Sequence, residues 1–184
     1  MKKIAILVMA AFAMNATMAQ GKMDKTVEVG GVLMYPSKNI VENAINSKGH
    51  TTLVAAVKAA DLVGTLQSAG PFTVFAPTNA AFDKLPKGTV ETLVKPENKA
   101  LLTKILTYHV VAGKYNTKDI ARLIIEGNGS AQLKTVEGGT LTATMKKKKL
   151  VLTDEKGGTS VVTIADVNQS NGVIQVIDTV LMPK

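Results

Sequence analysis

His50 and His109 are the only two imidazoles in the chain, and it holds no cysteine. Imidazole and thiolate are the groups that most readily hold zinc or act as base and nucleophile near neutral pH. A zinc site draws three or four ligands from Cys, His or carboxylate at characteristic spacings. Two histidines about sixty residues apart supply no such spacing, so neither a metal site nor a cofactor is expected. His109 is instead expected in the core with its ring bonded to backbone, and Tyr108 beside it on the opposite face of a strand. Other catalytic patterns are missing too. No serine stands in the Gly-x-Ser-x-Gly elbow of an α/β-hydrolase. Gly127-Asn128-Gly129 follows a helical pattern and lacks the third glycine of a dinucleotide loop. The carboxylates are scattered, with no apolar setting that would raise one into a general acid. No catalytic residue is assigned, and the chain reads as a non-enzyme.

Two groups could make contacts instead. Lys146, Lys147, Lys148 and Lys149 are the sharpest charge feature. They could dock an anionic polysaccharide or lipid headgroups, or cap a hairpin tip and stop edge strands from pairing with other molecules. Asp166-Val167 precedes a turn at Asn168 to Gly172. Asp166 is expected to support that turn through local backbone bonds. Asn128-Gly129-Ser130 and Asn168-Gln169-Ser170 fit the glycosylation triplet but read as turn sequences.

The elements that must position these residues begin after a leader. Met1-Lys2-Lys3, an apolar run from Ile4 to Met14 and a small-residue stretch to Ala19 match a secretory signal peptide cleaved after Ala19. The run is too short to span a bilayer, so no membrane-spanning segment is expected once the leader is removed. Its loss takes Lys2 and Lys3 with it and leaves a net charge of +6. A moderately basic exported protein could be drawn to anionic glycans or lipids. Nucleic acid is a poor partner, because base stacking needs aromatic rings and the chain has no Trp, three Tyr and four Phe.

Residues 20–36 read as an extended lead-in. Ser37 is expected to cap a short helix through Ile40, Val41, Ala44 and Ile45, and Thr51-Thr52 opens a second through Leu53, Ala56, Val57 and Ala60. Phe72 to Ala76 alternates aromatic and β-branched residues and reads as a buried strand stopped by Pro77. Short helices follow from Thr78, from Thr89 and after Pro96, the last with Leu101, Leu102, Ile105 and Leu106 as its stripe. Tyr108 to Val111 reads as strand, and Thr117 as the cap of a helix through Ile120, Leu123 and Ile124. Beyond Gly129 the apolar period changes from helical to two, giving strands at Leu133–Val136, Thr140–Met145, Leu150–Thr153 and Ser160–Ala165. Asn171-Gly172 is expected to adopt positive φ and turn the chain into a last strand, Val173 to Leu181. Helices first and antiparallel strands second argue for an α+β fold.

Three segments resemble the fasciclin (FAS1) family. Phe72-Thr73-Val74-Phe75-Ala76-Pro77-Thr78-Asn79-Ala80-Ala81-Phe82 is similar to its first block. Gly172-Val173-Ile174-Gln175-Val176-Ile177-Asp178-Thr179-Val180-Leu181-Met182-Pro183 is similar to its second, and Leu106-Thr107-Tyr108-His109-Val110-Val111 to its tyrosine-histidine motif. They stand in the family's order, and the similarity runs from Ser37 to Lys184. The resemblance implies a β-wedge of antiparallel or mixed strands, mainly from the C-terminal half, packed with several short helices in one domain over residues 37–184. It also implies an exported binding role, secreted, periplasmic or in the cell envelope. That role is cell adhesion or contact with the envelope or extracellular matrix, through a surface protein or anionic glycan. In animal members an Asp followed by an aliphatic residue at the place of Asp166-Val167 is linked with integrin recognition. The second block usually carries a histidine where this chain has Gln175, so a metal role there is not carried over. An alternative is carriage of a lipophilic small molecule, a carotenoid or lipid, since some exported relatives bind pigment.

Overall fold

The computed structural model describes residues 25–184; the expected leader lies outside them. The lead-in contributes a hairpin, β1 (Val27–Val29) and β2 (Val32–Met34), closed by Gly30 and Gly31 at φ 61° and 80°. Val29 and Met34 are buried. Polarity at Gln20 to Gly31 hid this element, because only one side chain per strand reaches the core. A Cβ on Gly30 would stand 2.4 Å from Ser47 Oγ and 2.6 Å from Gly49 N, so glycine lets the hairpin seat against that loop.

Helices α1 (Ile40–Ala44), α2 (Thr51–Ala59) and α3 (Val63–Gln67) follow. The cap of α1 is Asn39 and not Ser37: Asn39 Oδ1 accepts from Glu42 N, and Glu42 Oε2 accepts from Asn39 N, the reciprocal capping box. Next come β3 (Phe72–Pro77), α4 (Asn79–Phe82), α5 (Thr89–Leu93), α6 (Lys99–Tyr108), β4 (Val110–Ala112) and α7 (Thr117–Glu126). Thr78 caps α4 as its sequence suggests, accepting from Ala81 N. The remaining strands are β5 (Ala131–Lys134), β6 (Thr140–Lys146), β7 (Lys149–Thr153), β8 (Thr159–Gln169) and β9 (Gly172–Ile177). β9 ends at Ile177, short of the expected Leu181.

Seven strands form one sheet in the order β4-β3-β9-β8-β7-β6-β5. Every neighbouring pair is antiparallel except β3 and β9, the second and third strands in that order, which run parallel. The two outer strands approach each other through a bridge between Val111 and Thr135, and Val136 N donates to Val110 O at 2.7 Å. The sheet therefore nearly closes into a wedge with two apolar cores. Val74, Ile174 and Val176 face one core, shared with the helices from α1 to α6. Phe75 and Ile177 face the other, shared with Ile120 and Ile124 of α7. Val74 and Phe75 thus take opposite faces of β3, as the pleat requires.

Candidate functional site

Helix α6 runs on through Tyr108, and His109 is its C-cap residue. Strand-like Val110-Val111 invited an earlier start, but α6 keeps Tyr108 as its last residue and His109 as its cap. The pair therefore does not alternate across a strand; both side chains are buried. His109 Nδ1 donates to Ile105 O at 2.8 Å, a carbonyl left open by the helix end, and Nε2 accepts from Leu181 N at 3.1 Å. These bonds fix the neutral ring with its proton on Nδ1, and burial pushes its pKa down to about 4. Neither nitrogen is left for a ligand. Tyr108 donates to Thr140 O at 2.9 Å and accepts from Glu155 N at 3.1 Å. Burial lifts its phenol to about 12. Its ring fits only because residue 139 is glycine, where a Cβ would stand 2.8 Å away.

Asp166 and Val167 lie within β8 and not on a contact loop. Two register shifts, between Val162 and Ile164 and between Ile164 and Val167, let eight residues of β8, from Val162 to Gln169, run beside the six of β9. Asp166 takes up the second shift at φ 59°, a conformation Asp tolerates better than most residues. Its Oδ1 accepts from Thr117 N at 2.6 Å, Thr117 Oγ1 at 3.0 Å and Gln175 Nε2 at 2.9 Å. The carboxylate thus serves the first turn of α7. The expected local support of the turn is confined to its carbonyl, which accepts from Asn168 Nδ2. Val167 is 1% exposed and belongs to the core, so it offers no contact surface in the folded chain. Gln175 is fully buried, accepting from Asp166 N at 3.0 Å and donating to Tyr115 O at 3.3 Å. It bridges the gap that the bulge opens.

Asn171 does more than turn the chain. Its Oδ1 accepts from Ile40 N at 3.0 Å, and its Nδ2 donates to Leu66 O at 2.8 Å and Ser68 O at 2.9 Å. One buried amide joins α1, the end of α3 and the β8–β9 connection. Neither Asn171 nor Gly172 has positive φ. Gly172 is needed for close approach, since a Cβ would lie 2.1 Å from Phe72 O on the paired strand.

Lys146 to Lys149 form the exposed tip of the β6–β7 hairpin. A second feature is an apolar cleft of about 70 Å³ between helices α1 to α3 and the sheet, lined by residues such as Val41, Leu53, Val57, Leu66 and Ile174. His50 also lines it. His50 Nδ1 lies 2.9 Å from Ser47 Oγ, while Nε2 has no hydrogen-bond partner among the described residues. Burial lowers the His50 pKa, and the Ala76 backbone opposes this in part. Among the described residues no three of His, Asp and Glu converge as a metal cluster. No helix among them is long and apolar enough to cross a membrane.

The fasciclin domain model matches residues 48–183. Protein sll1483 of Synechocystis sp. is 44% identical over 184 residues, covering 98% of this chain and 95% of that protein. Immunogenic protein MPB70 of Mycobacterium bovis is 41% identical over 145 residues, covering 76% of this chain and 66% of its own. The cell surface glycolipoprotein MPB83 of the same species is 36% identical over 159 residues, covering 84% and 64%. A FAS1 domain pair from the insect cell adhesion molecule fasciclin I superposes with a TM-score of 0.72 at 20% identity, covering 80% of this chain and 52% of that one. The α+β wedge is the FAS1 fold, and the chain belongs to the fasciclin family.

Proposed function

We propose that this protein is an exported, non-catalytic binding module that holds a cell-surface or matrix component, protein or anionic glycan, at the cell envelope or outside the cell. The observation that carries this reading is the fate of the motif side chains. Both nitrogens of His109 are engaged in buried bonds, and the carboxylate of Asp166 and the amide of Gln175 in part-buried ones, that hold elements together. The recognisable segments build the body, which leaves the outer surface to make contacts. The resemblance to a cell surface glycolipoprotein and to a cell adhesion molecule supports the same reading. The test is retention of the purified mature protein on the envelope and extracellular matrix of the cells that make it. Saturable retention is expected. A chemical turnover lost on one polar substitution that leaves folding intact would contradict the proposal.

The cleft favours a second reading, carriage of a lipophilic molecule. Its volume of about 70 Å³ is well below the ~300–1,000 Å³ of most small-molecule pockets. A carotenoid or lipid would enter only if α1 to α3 moved off the sheet. Organic extraction of protein purified from its own cells separates the readings: a stoichiometric pigment or lipid supports carriage, and an empty extract supports contact by the outer surface alone.

A further inference from the structure

We propose that the β6–β7 tip is the part of this surface that grips its partner, and that the partner it fits is an anionic polysaccharide. The inference rests on the surface-binding reading above. Lys146 and Lys149 are direct partners across the ladder, and like charges placed opposite each other oppose strand pairing. Lys147 and Lys148 form the two-residue turn at φ 47° and 65°. A turn with both central residues at positive φ favours Asn-Gly, whereas a side chain with an ordinary Cβ is strained there. All four positions therefore work against the hairpin that carries them. All four are exposed, and among the described residues none joins a salt bridge.

The bland explanation, protection of a sheet edge, does not fit the topology. β6 lies between β5 and β7, and β7 between β6 and β8. Pairing with β5 stops at Ala143 and pairing with β8 at Val151. Only two or three residues a side run past their neighbours, and so short an edge is already a poor template for pairing. What that overhang does create is a short hairpin end, anchored by the buried Leu150 and exposed from Met145 to Lys149, with four ammonium groups at its tip. An anionic chain laid against it would relieve the Lys146–Lys149 repulsion and release its own counterions.

Lysine is a hydrated point charge without the bidentate fork of arginine, so the tip suits repeated carboxylates or sulfates along a polymer more than one shaped anion. A membrane surface fits less well. Proteins that hold bilayers through a few residues add apolar side chains that enter the interface, and at this tip Met145, 38% exposed, is the one large apolar residue on the surface. Nucleic acid would call for stacking rings, which the tip lacks.

The experiment compares the mature protein with a tip variant carrying Lys146→Thr, Lys147→Asn, Lys148→Gly and Lys149→Thr. The probes are heparin for sulfate, alginate for uronate, and phosphatidylglycerol vesicles for lipid. A control variant, with Lys87, Lys95, Lys114 and Lys134 changed to Gln, removes the same charge from exposed positions elsewhere. Because the new residues suit the turn and the ladder, the tip variant should melt no lower than the parent. It should lose at least tenfold in affinity for heparin or alginate in low salt, while the control loses at most twofold. Parent affinity should fall steeply with salt, and the tip variant's much less so. Equal losses in the two variants, unchanged affinity in the tip variant, or a preference of the parent for vesicles would overturn the assignment. Failure here with retention on cells intact would remove only the tip; loss of retention by the parent itself would remove the surface-binding reading.

Discussion

His109 shows how a histidine can be essential to this domain without doing chemistry. Its ring closes the end of α6 and ties Leu181 to it. The folded pKa of about 4 lies below the ordinary 6.5, so between these values the unfolded chain binds more protons than the folded one. Stability is then complete above about pH 6.5 and falls as pH drops toward 4, by roughly 3 kcal/mol for a shift of this size. His50 is shifted in the same direction. Thermal melting should therefore move to lower temperature between pH 7 and pH 4.5. His109→Gln, less stable at neutral pH, should show a flatter dependence over the same range. His109→Ala strands Ile105 O and Leu181 N in the core and should cost about 2–4 kcal/mol in urea unfolding. Unchanged stability with lost binding would assign the ring to a ligand. The core role of His109 was legible because a lone distant histidine and no cysteine cannot hold a metal. Its place at a helix end was not, because Val110-Val111 carries a strand signal across the boundary.

At the scale of elements, helix and strand positions follow their apolar periods closely, and the differences lie at the ends. Beside the local Asp119, which accepts from Asn116 N, a second carboxylate at the start of α7 comes from Asp166, 49 residues away in sequence and beyond the reach of a local capping rule. Asp166→Ala should destabilise by about 2 kcal/mol, losing the contacts to Thr117 and Gln175 and placing a methyl at positive φ. Asp166→Asn, which keeps an acceptor and tolerates that φ, should cost much less. Hydrogen exchange at the Thr117 amide would locate the loss. Equal costs in the two variants would mean that the side chain does not serve the helix. Asn171 was legible as a turn residue but not as a junction, since its partners stand more than a hundred positions upstream. Asn171→Ala leaves two buried backbone groups, Ile40 N and Leu66 O, and the part-buried Ser68 O without their partner and should cost about 3 kcal/mol, read as a lower urea midpoint with an unchanged slope. A shift below about 1 kcal/mol would show that water replaces the amide.

Taken as a whole molecule, the α+β class could be read from the change of apolar period near Gly129, and the wedge from the ordered motifs. The parallel pair of the sheet could not. β3 and β9 meet across a hundred residues, and in a single sequence nothing local marks that pairing beyond two apolar runs. Once formed, the pairing brings the two family blocks side by side, so the most recognisable residues end up in the middle of the molecule. On the surface-binding reading proposed above, contact with a partner then falls to what the sheet and helices present outward.

The measurement that bears most directly on this division is attachment to the producing cells of variants at these three bonded side chains, made below the melting temperature of each. His109→Gln, Asp166→Asn and Asn171→Ala should bind as the parent does wherever circular dichroism shows them folded, despite their lower stability. A folded variant of any of the three that no longer attaches would place the binding function inside the motif core and contradict the account.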